Sequence, residues 1–245
     1  LTPVLFMLIS AATADAAELL PVKINGLDET LERHVRSAIA LPESKTSGVA
    51  VSEGRLSYYS NNINAMVEDS LEPLGYYQAK VSSRIERDQE RVQLIIDVQL
   101  GDAVTVRNLQ VKVEGPAADD RVIGFWLEGF EPGQGQVFSH GLYESSKASI
   151  TQALLDRGYF DQNNTVHKVE VTRATGSADI HLEWDSGIRY NFGAVRFEGH
   201  VFEPGLLDKL VNFEQGKPFS QTQINRLQES LAKLNYFSLI QIAPD

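Results

Sequence analysis

Arg157-Gly158-Tyr159-Phe160 decides how this chain is read, because it recurs as Leu74-Gly75-Tyr76-Tyr77 and again as Leu234-Asn235-Tyr236-Phe237. Each copy closes an amphipathic stretch. In the third, Ile224, Leu227, Leu231 and Leu234 recur at helical spacing and fall on one face. Gly75, Gly158 and Asn235 then stand just beyond the last turn, where Gly and less often Asn tolerate the left-handed conformation that ends a helix. Positions 75, 158 and 235 are separated by intervals the size of a small domain, so the pattern predicts repeated domains. The aromatics that follow, Tyr76 and Tyr77, Tyr159 and Phe160, Tyr236 and Phe237, are expected to fold back as anchors between helix and sheet.

Working outward, each copy has an upstream candidate strand ending in Gly: Val22 to Gly26, Val111 to Gly115 and Val195 to Gly199. Downstream of the first copy, Ala79, Val81 and Ile85 followed by Val92, Leu94, Ile96, Val98 and Leu100 alternate with period two, the signature of a half-buried hairpin. A turn around Asp88-Gln89 sets Val81 opposite Ile96 and Ile85 opposite Val92. The second copy repeats this, with Val169 and Val171 against Ile180, Leu182 and Trp184 and a turn at Thr175-Gly176. The opposite face, with Lys80, Arg84, Glu170, His181 and Asp185, is expected to be wet, His181 lying across from Glu170. His167 falls on the apolar face with Trp184.

Each unit therefore reads strand, helix, helix, strand, strand. The fold class is α+β: a three-stranded mixed sheet covered on one face by two helices. Ser139 is expected to open the second helix of the second copy. Ser220-Gln221-Thr222-Gln223 has capping-box spacing in the third. The loops before these helices also match, Phe130-Glu131-Pro132-Gly133 with Val137-Phe138-Ser139 paralleling Phe213-Glu214-Gln215-Gly216 with Pro218-Phe219-Ser220. Boundaries fall near Leu100-Gly101-Asp102 and Asp185-Ser186-Gly187, joints shorter than a flexible linker.

The start of the chain carries a different signal. Pro3 to Ile9 is a short apolar run, and Ala14-Asp15-Ala16 fits a signal peptidase site, so residues 1–16 read as a secretion signal and the mature chain is expected to begin at Ala17. Composition adds exclusions. Among 245 residues, 22 Lys plus Arg face 33 Asp plus Glu, a formal net charge of -11, so a phosphate backbone finds no basic stripe and nucleic acid is not an expected partner. With no cysteine, no disulfide framework, thiolate metal site or Cys nucleophile is available.

The search for chemistry ends without a site. His34, His140, His167, His181 and His200 are scattered, with no pair at ligand spacing backed by a third ligand. Gly124, Gly129, Gly133 and Gly135 lack the Lys-Ser/Thr of a phosphate loop and read as a mobile connection. No catalytic, metal or cofactor residues are assigned, and the chain is not expected to be an enzyme. A rival reading takes Tyr58-Tyr59 and Tyr76-Tyr77 as a carbohydrate-stacking patch of a periplasmic polysaccharide-binding or hydrolytic protein; a glycosidase would need two carboxylates flanking a cleft.

With the repeats in hand, Gly187-Ile188-Arg189-Tyr190 followed by Gly193-Ala194-Val195-Arg196-Phe197-Glu198-Gly199 resembles the opening of the POTRA domains in the outer-membrane assembly superfamily that includes BamA and TamA. The number of units and their start directly after the signal are most similar to the TamA branch. A BamA-like protein or a two-partner-secretion transporter fits the same motifs. The resemblance implies three POTRA domains, 17–101, 102–187 and 188–245, the last stopping before its closing strand, with a C-terminal outer-membrane β-barrel to follow. It also implies a periplasmic location, a TamB-like inner-membrane-anchored partner, and unfolded outer-membrane proteins or autotransporters as clients. In such a unit the second hairpin strand is central, leaving Gln78 to Asp88 and Gln162 to Ala174 as edges. Strand addition along the first of these, beside Lys80, Ser82 and Arg84, is the expected mode of partner binding.

Overall fold

The computed structural model describes residues 18–19, 21–39, 53–88, 91–199, 201–203 and 205–242. The proposed signal, the tip of the first hairpin and His200 lie outside them. The chain divides into two compact units, Leu1–Ala103 and Val104–Asp245.

In the first unit, β1 (Glu18–Leu19) and β2 (Lys23–Asn25) lead into α1 (Glu29–Ala38), α2 (Glu53–Leu71), β3 (Lys80–Asp88) and β4 (Arg91–Gln99). Asp28 starts α1 by accepting from the Thr30 and Leu31 amides, satisfying two donors that the helix cannot. The central strand is β4, antiparallel to β3 on one side and parallel to β1 and β2 on the other. The candidate strand at Val22 is thus one of two short pieces in the same sheet position. The core lies between this sheet and the helices, where Val35, Ile63, Val67, Leu71, Leu94 and Ile96 are sealed from solvent.

The hairpin register differs from the expected one by two residues: Val81 faces Val98, Ile85 faces Leu94, and Asp88 faces Arg91. A two-residue slip preserves which side chains point to the core, so the apolar alternation is blind to it. What decides is which residues meet at the end of the hairpin, here Asp88 and Arg91.

The second unit contains β5 (Thr105–Glu114), α3 (Arg121–Glu128), α4 (His140–Asp156), β6 (Asn163–Thr172), β7 (Ser177–Asp185) and α5 (Gln221–Lys233). Again the last hairpin strand is central, in the order β5-β7-β6 with β5 parallel and β6 antiparallel. Ile123, Ile150, Leu154, Ile180, Leu182 and Trp184 form the buried layer. The expected pairing of His181 with Glu170 is corrected, because His181 faces Lys168 and Glu170 faces Asp179. His167 stands opposite the buried Leu182 but is itself exposed.

Two local expectations also fail. Ser139 caps α4 by accepting from the Leu142 amide, but Ser220 makes no side-chain cap bond. The first turn of α5 is tightened, so the Gln223 amide bonds the Ser220 carbonyl at 3.0 Å, while the Gln223 side chain reaches the Asn212 carbonyl instead of returning to the cap. The glycines read as a mobile connection are ordered: Gly124 lies within α3 and Gly129 ends it. Gly133 and Gln136 close a turn through a backbone bond and a side-chain bond of 2.7 Å.

The matched loops perform the same task in both copies. Phe138 and Gly135 donate to the Val104 and Val106 carbonyls, and Val106 donates to Gln136. In the third copy Phe219 and Gly216 donate to Tyr190 and Phe192, and Phe192 donates to Lys217. This three-bond clasp fastens the loop before the second helix to the start of the unit's first strand. Beyond it the third copy departs from the pattern, since Val195 to Gly199 joins no ladder. A strand is defined by its neighbour, and the described residues after α5 supply none.

Candidate functional site

Helix ends set the backbone that leads into each hairpin. Gly75 and Gly158 have φ of 95° and 88°, and Asn235 has 55°. The Gly75 amide bonds Glu72 and the Tyr76 amide bonds Leu71, and the same two bonds recur from Gly158 to Leu155 and from Tyr159 to Leu154. This is the paired closure of a helix C-terminus. The aromatic pairs do not behave alike. Tyr76 packs on the first core and Tyr159 is buried, whereas Phe160 is half-exposed against Tyr190 and Phe219. In the third copy Phe237 joins the core and Tyr236 is exposed.

Four sheet edges stand among the described residues, and they are not equivalent. The position beside β4 is divided between β1 and β2, with Pro21 in the break, a residue that donates no ladder bond. Both edges of the second sheet are bulged, β5 between Val106 and Asn108 and β6 between Asn164 and Val166, and a bulge twists a strand away from further pairing. β3 alone runs regularly along its whole length, in continuous register from Lys80 to Asp88. Among the described residues it pairs with β4 and with no other strand. Its ladder begins at Lys80 rather than Gln78, and that of β6 spans Asn163 to Thr172 rather than Gln162 to Ala174.

The side chains of β3 follow its parity. Lys80, Ser82 and Arg84 are exposed on the face turned from the helices, while Val81, Ser83 and Ile85 are half-buried on the helix side. Arg84 is engaged: its guanidinium bonds Glu86 at 3.1 Å and Asp97 on β4. Asp97 also accepts from Asn25 at 2.7 Å. The Asn25 bond, then the Arg84 guanidinium, hold this carboxyl below the usual carboxylate range against the opposing effect of desolvation. The second sheet carries a similar constellation, in which Arg107 and Asn108 hold Asp179 low in the same way. Beside it a shallow polar depression of about 300 Å³ is lined by Asn108, Gln110, Lys168, Glu170 and His181 among others.

One contact at the edge carries no signal in the sequence. Glu68, on α2, accepts from the Val81 amide at 3.0 Å. A carboxylate thirteen residues upstream of its donor matches no local capping spacing. The histidines lie apart: His34 bonds the Ser70 carbonyl, His140 packs near Phe138, and His181 is 3.8 Å from Glu183. Among the described residues no three His, Asp or Glu side chains are grouped to hold a metal ion. The tyrosines do not form one stacking surface either. Tyr59 is buried in the first core and Tyr58 lies edge-on to it with 58% exposure.

Comparison with known proteins identifies the modules. Residues 21–100 match the family described as POTRA domain TamA domain 1, and residues 190–245 match the POTRA family described as surface antigen variable number repeat. Solved structures with some similarity include POTRA domains 3 to 5 of BamA from Haemophilus influenzae, at 17% identity over 92% of this chain and 88% of that one, TM-score 0.48. The N-terminal domain of Omp85 from Thermosynechococcus elongatus is 17% identical over 93% and 88%, TM-score 0.35. POTRA domains 1 to 3 of Omp85 from Anabaena are 15% identical over 94% and 88%, TM-score 0.34. Two family matches, falling on the first and third copies of a repeat whose first two copies have the same strand order, make this chain a POTRA-domain protein with a TamA-type first domain.

Proposed function

We propose that the chain is the periplasmic protein-interaction region of an outer-membrane assembly and translocation factor, organised as POTRA units 17–101, 102–187 and 188–245. In this reading the first unit docks a TamB-like inner-membrane-anchored partner, and the units together guide unfolded outer-membrane proteins and autotransporters toward a β-barrel. No catalytic step is involved. The observation that carries the reading is β3, a regular nine-residue strand that, among the described residues, pairs with β4 alone. Main-chain donors and acceptors along such an edge attract an incoming strand with little regard to its sequence. Exposed Lys80 and Arg84 discourage indiscriminate pairing.

Photo-crosslinking in cells tests this. Probes at Lys80, Ser82 and Arg84 should capture the partner more strongly than probes at Lys112 or Glu170 on the second sheet. Lys80 and Ser82 are the cleaner positions, because replacing Arg84 also breaks its bonds to Asp97 and Glu86. Equal capture at all five, or capture confined to the α1 face around Arg33 and Arg36, would reject edge addition at the first unit.

A further inference from the structure

The geometry points to Glu68 as a built-in stop that shortens the usable edge of β3 and so sets where an added strand can register, a role that rests on the edge-addition reading above. In an antiparallel strand the amide and carbonyl of one residue point to the same side, and the side alternates along the chain. Because the Val81 amide donates to Glu68, residues 81, 83 and 85 present their backbone groups away from β4. These are the groups a new strand must meet. The first of them is already taken, by a side chain from the helix that packs on the same strand.

An incoming strand therefore pairs with Ser83 and Ile85 at once but competes with the carboxylate at Val81. The effect is directional. Pairing is open at Ser83 and Ile85 and obstructed at Val81, on the helix side of them, so Glu68 discriminates between registers that the backbone alone would treat as equal. Its negative charge also opposes an acidic side chain at that end of the partner.

The second copy meets the same need differently. Thr151 stands where Glu68 does, counted back from the helix-ending glycine, but its hydroxyl accepts from the Trp184 indole at 3.2 Å. Asn164 stands where Val81 does, and there the edge is broken by the bulge. One copy ends its edge with a side chain and the other with backbone irregularity. A side chain can be displaced by a partner at the cost of one hydrogen bond, whereas a bulge is part of the ladder.

Amide exchange followed by NMR on the whole chain provides the test, with a synthetic peptide of alternating threonine and valine as the strand. In the free protein Glu68→Ala should raise the exchange rate of the Val81 amide. Glu68→Gln, which keeps a carbonyl acceptor, should leave it near wild type. On titration, wild type should gain protection at Ser83 and Ile85 with Val81 unchanged. Glu68→Ala should gain it at Val81 as well and bind about three- to tenfold tighter, the worth of one ordinary hydrogen bond. Protection at Ser83 and Ile85 in both proteins with equal affinity would overturn the role of Glu68 and leave edge addition standing. No protection along β3 in either would overturn both. If Glu68→Ala does not fold, wild-type affinity and unprotected Val81 in Glu68→Gln would overturn the stop, because an amide acceptor in place should hold Val81 protected.

Discussion

Gly158 shows how much a single position can carry. Its φ of 88° lies where side chains are strained, and a β-carbon built there would come within 2.8 Å of the Phe219 β-carbon and 3.1 Å of the Tyr190 carbonyl. Gly158→Val should therefore cost about 2 kcal/mol in urea unfolding, from strain and collision together. Asn235, at φ 55°, already tolerates the left-handed region, so Asn235→Gly should change stability by only a few tenths of a kcal/mol. Equal effects at the two sites would contradict the shared helix ending. A second prediction at this scale concerns Asp97. Its carboxyl is held low, so in the folded state it favours the ionised form. The associated stabilisation is present above the unfolded-state pKa and is lost as pH falls through the depressed folded value. Asn25→Ala removes the largest cause, and the Asp97 carboxyl should then titrate closer to the ordinary carboxylate range by NMR.

At the scale of elements, the joint between the second and third copies hangs on Asp120. One oxygen caps α3 through the Val122 amide at 3.0 Å; the other accepts from the Arg157 guanidinium at 2.6 Å and lies 3.6 Å from Arg189. Arg189 in turn donates to the Arg157 carbonyl and lies over the Tyr159 ring. A carboxylate with a 5% exposed side chain thus ties the start of one helix, the end of the next and the first residues of the third copy. Asp120→Ala removes the cap and leaves two half-buried guanidinium groups without their counter-charge, so it should destabilise the second unit by about 3 kcal/mol, measured by chemical denaturation with circular dichroism. Asp120→Asn keeps an acceptor for Val122 and should cost less. Neither the Asp120 network nor the contact of Glu68 with Val81 follows from sequence spacing, because both partners are brought together by the docking of separate elements.

Among the described residues, two complete sheets contrast with a third copy that has a clasp and a helix but no ladder along Val195 to Gly199. Val201 and Leu239 are 99% and 80% exposed there. A segment outside a regular ladder opens more readily than a strand held along its whole length. Hydrogen exchange read by mass spectrometry should accordingly find peptides covering 193–199 labelled far earlier than peptides from β5, their counterpart in the second copy. Comparable protection in both would show that the segment is held as firmly as β5.

The alternation of apolar residues and the left-handed helix endings are local properties, and they were enough to give the order of elements in the first two copies and the central position of β4 and β7. Period two assigns each side chain to a face, and the connection lengths leave few topologies. What they cannot assign is any quantity unchanged by a shift of two residues, which is why the alternation admits Ile96 opposite Val81 although Val98 stands there. Bulges at Val106 and Asn164, the failure of Ser220 to cap α5, and the cover of Val81 by Glu68 were likewise decided by packing between elements distant in sequence. The difference between one sheet edge and another resides in these features. Sequence determined that this protein presents strand edges; tertiary structure alone decided which edge is continuous, because continuity depends on hydrogen bonds that only the assembled sheet can form.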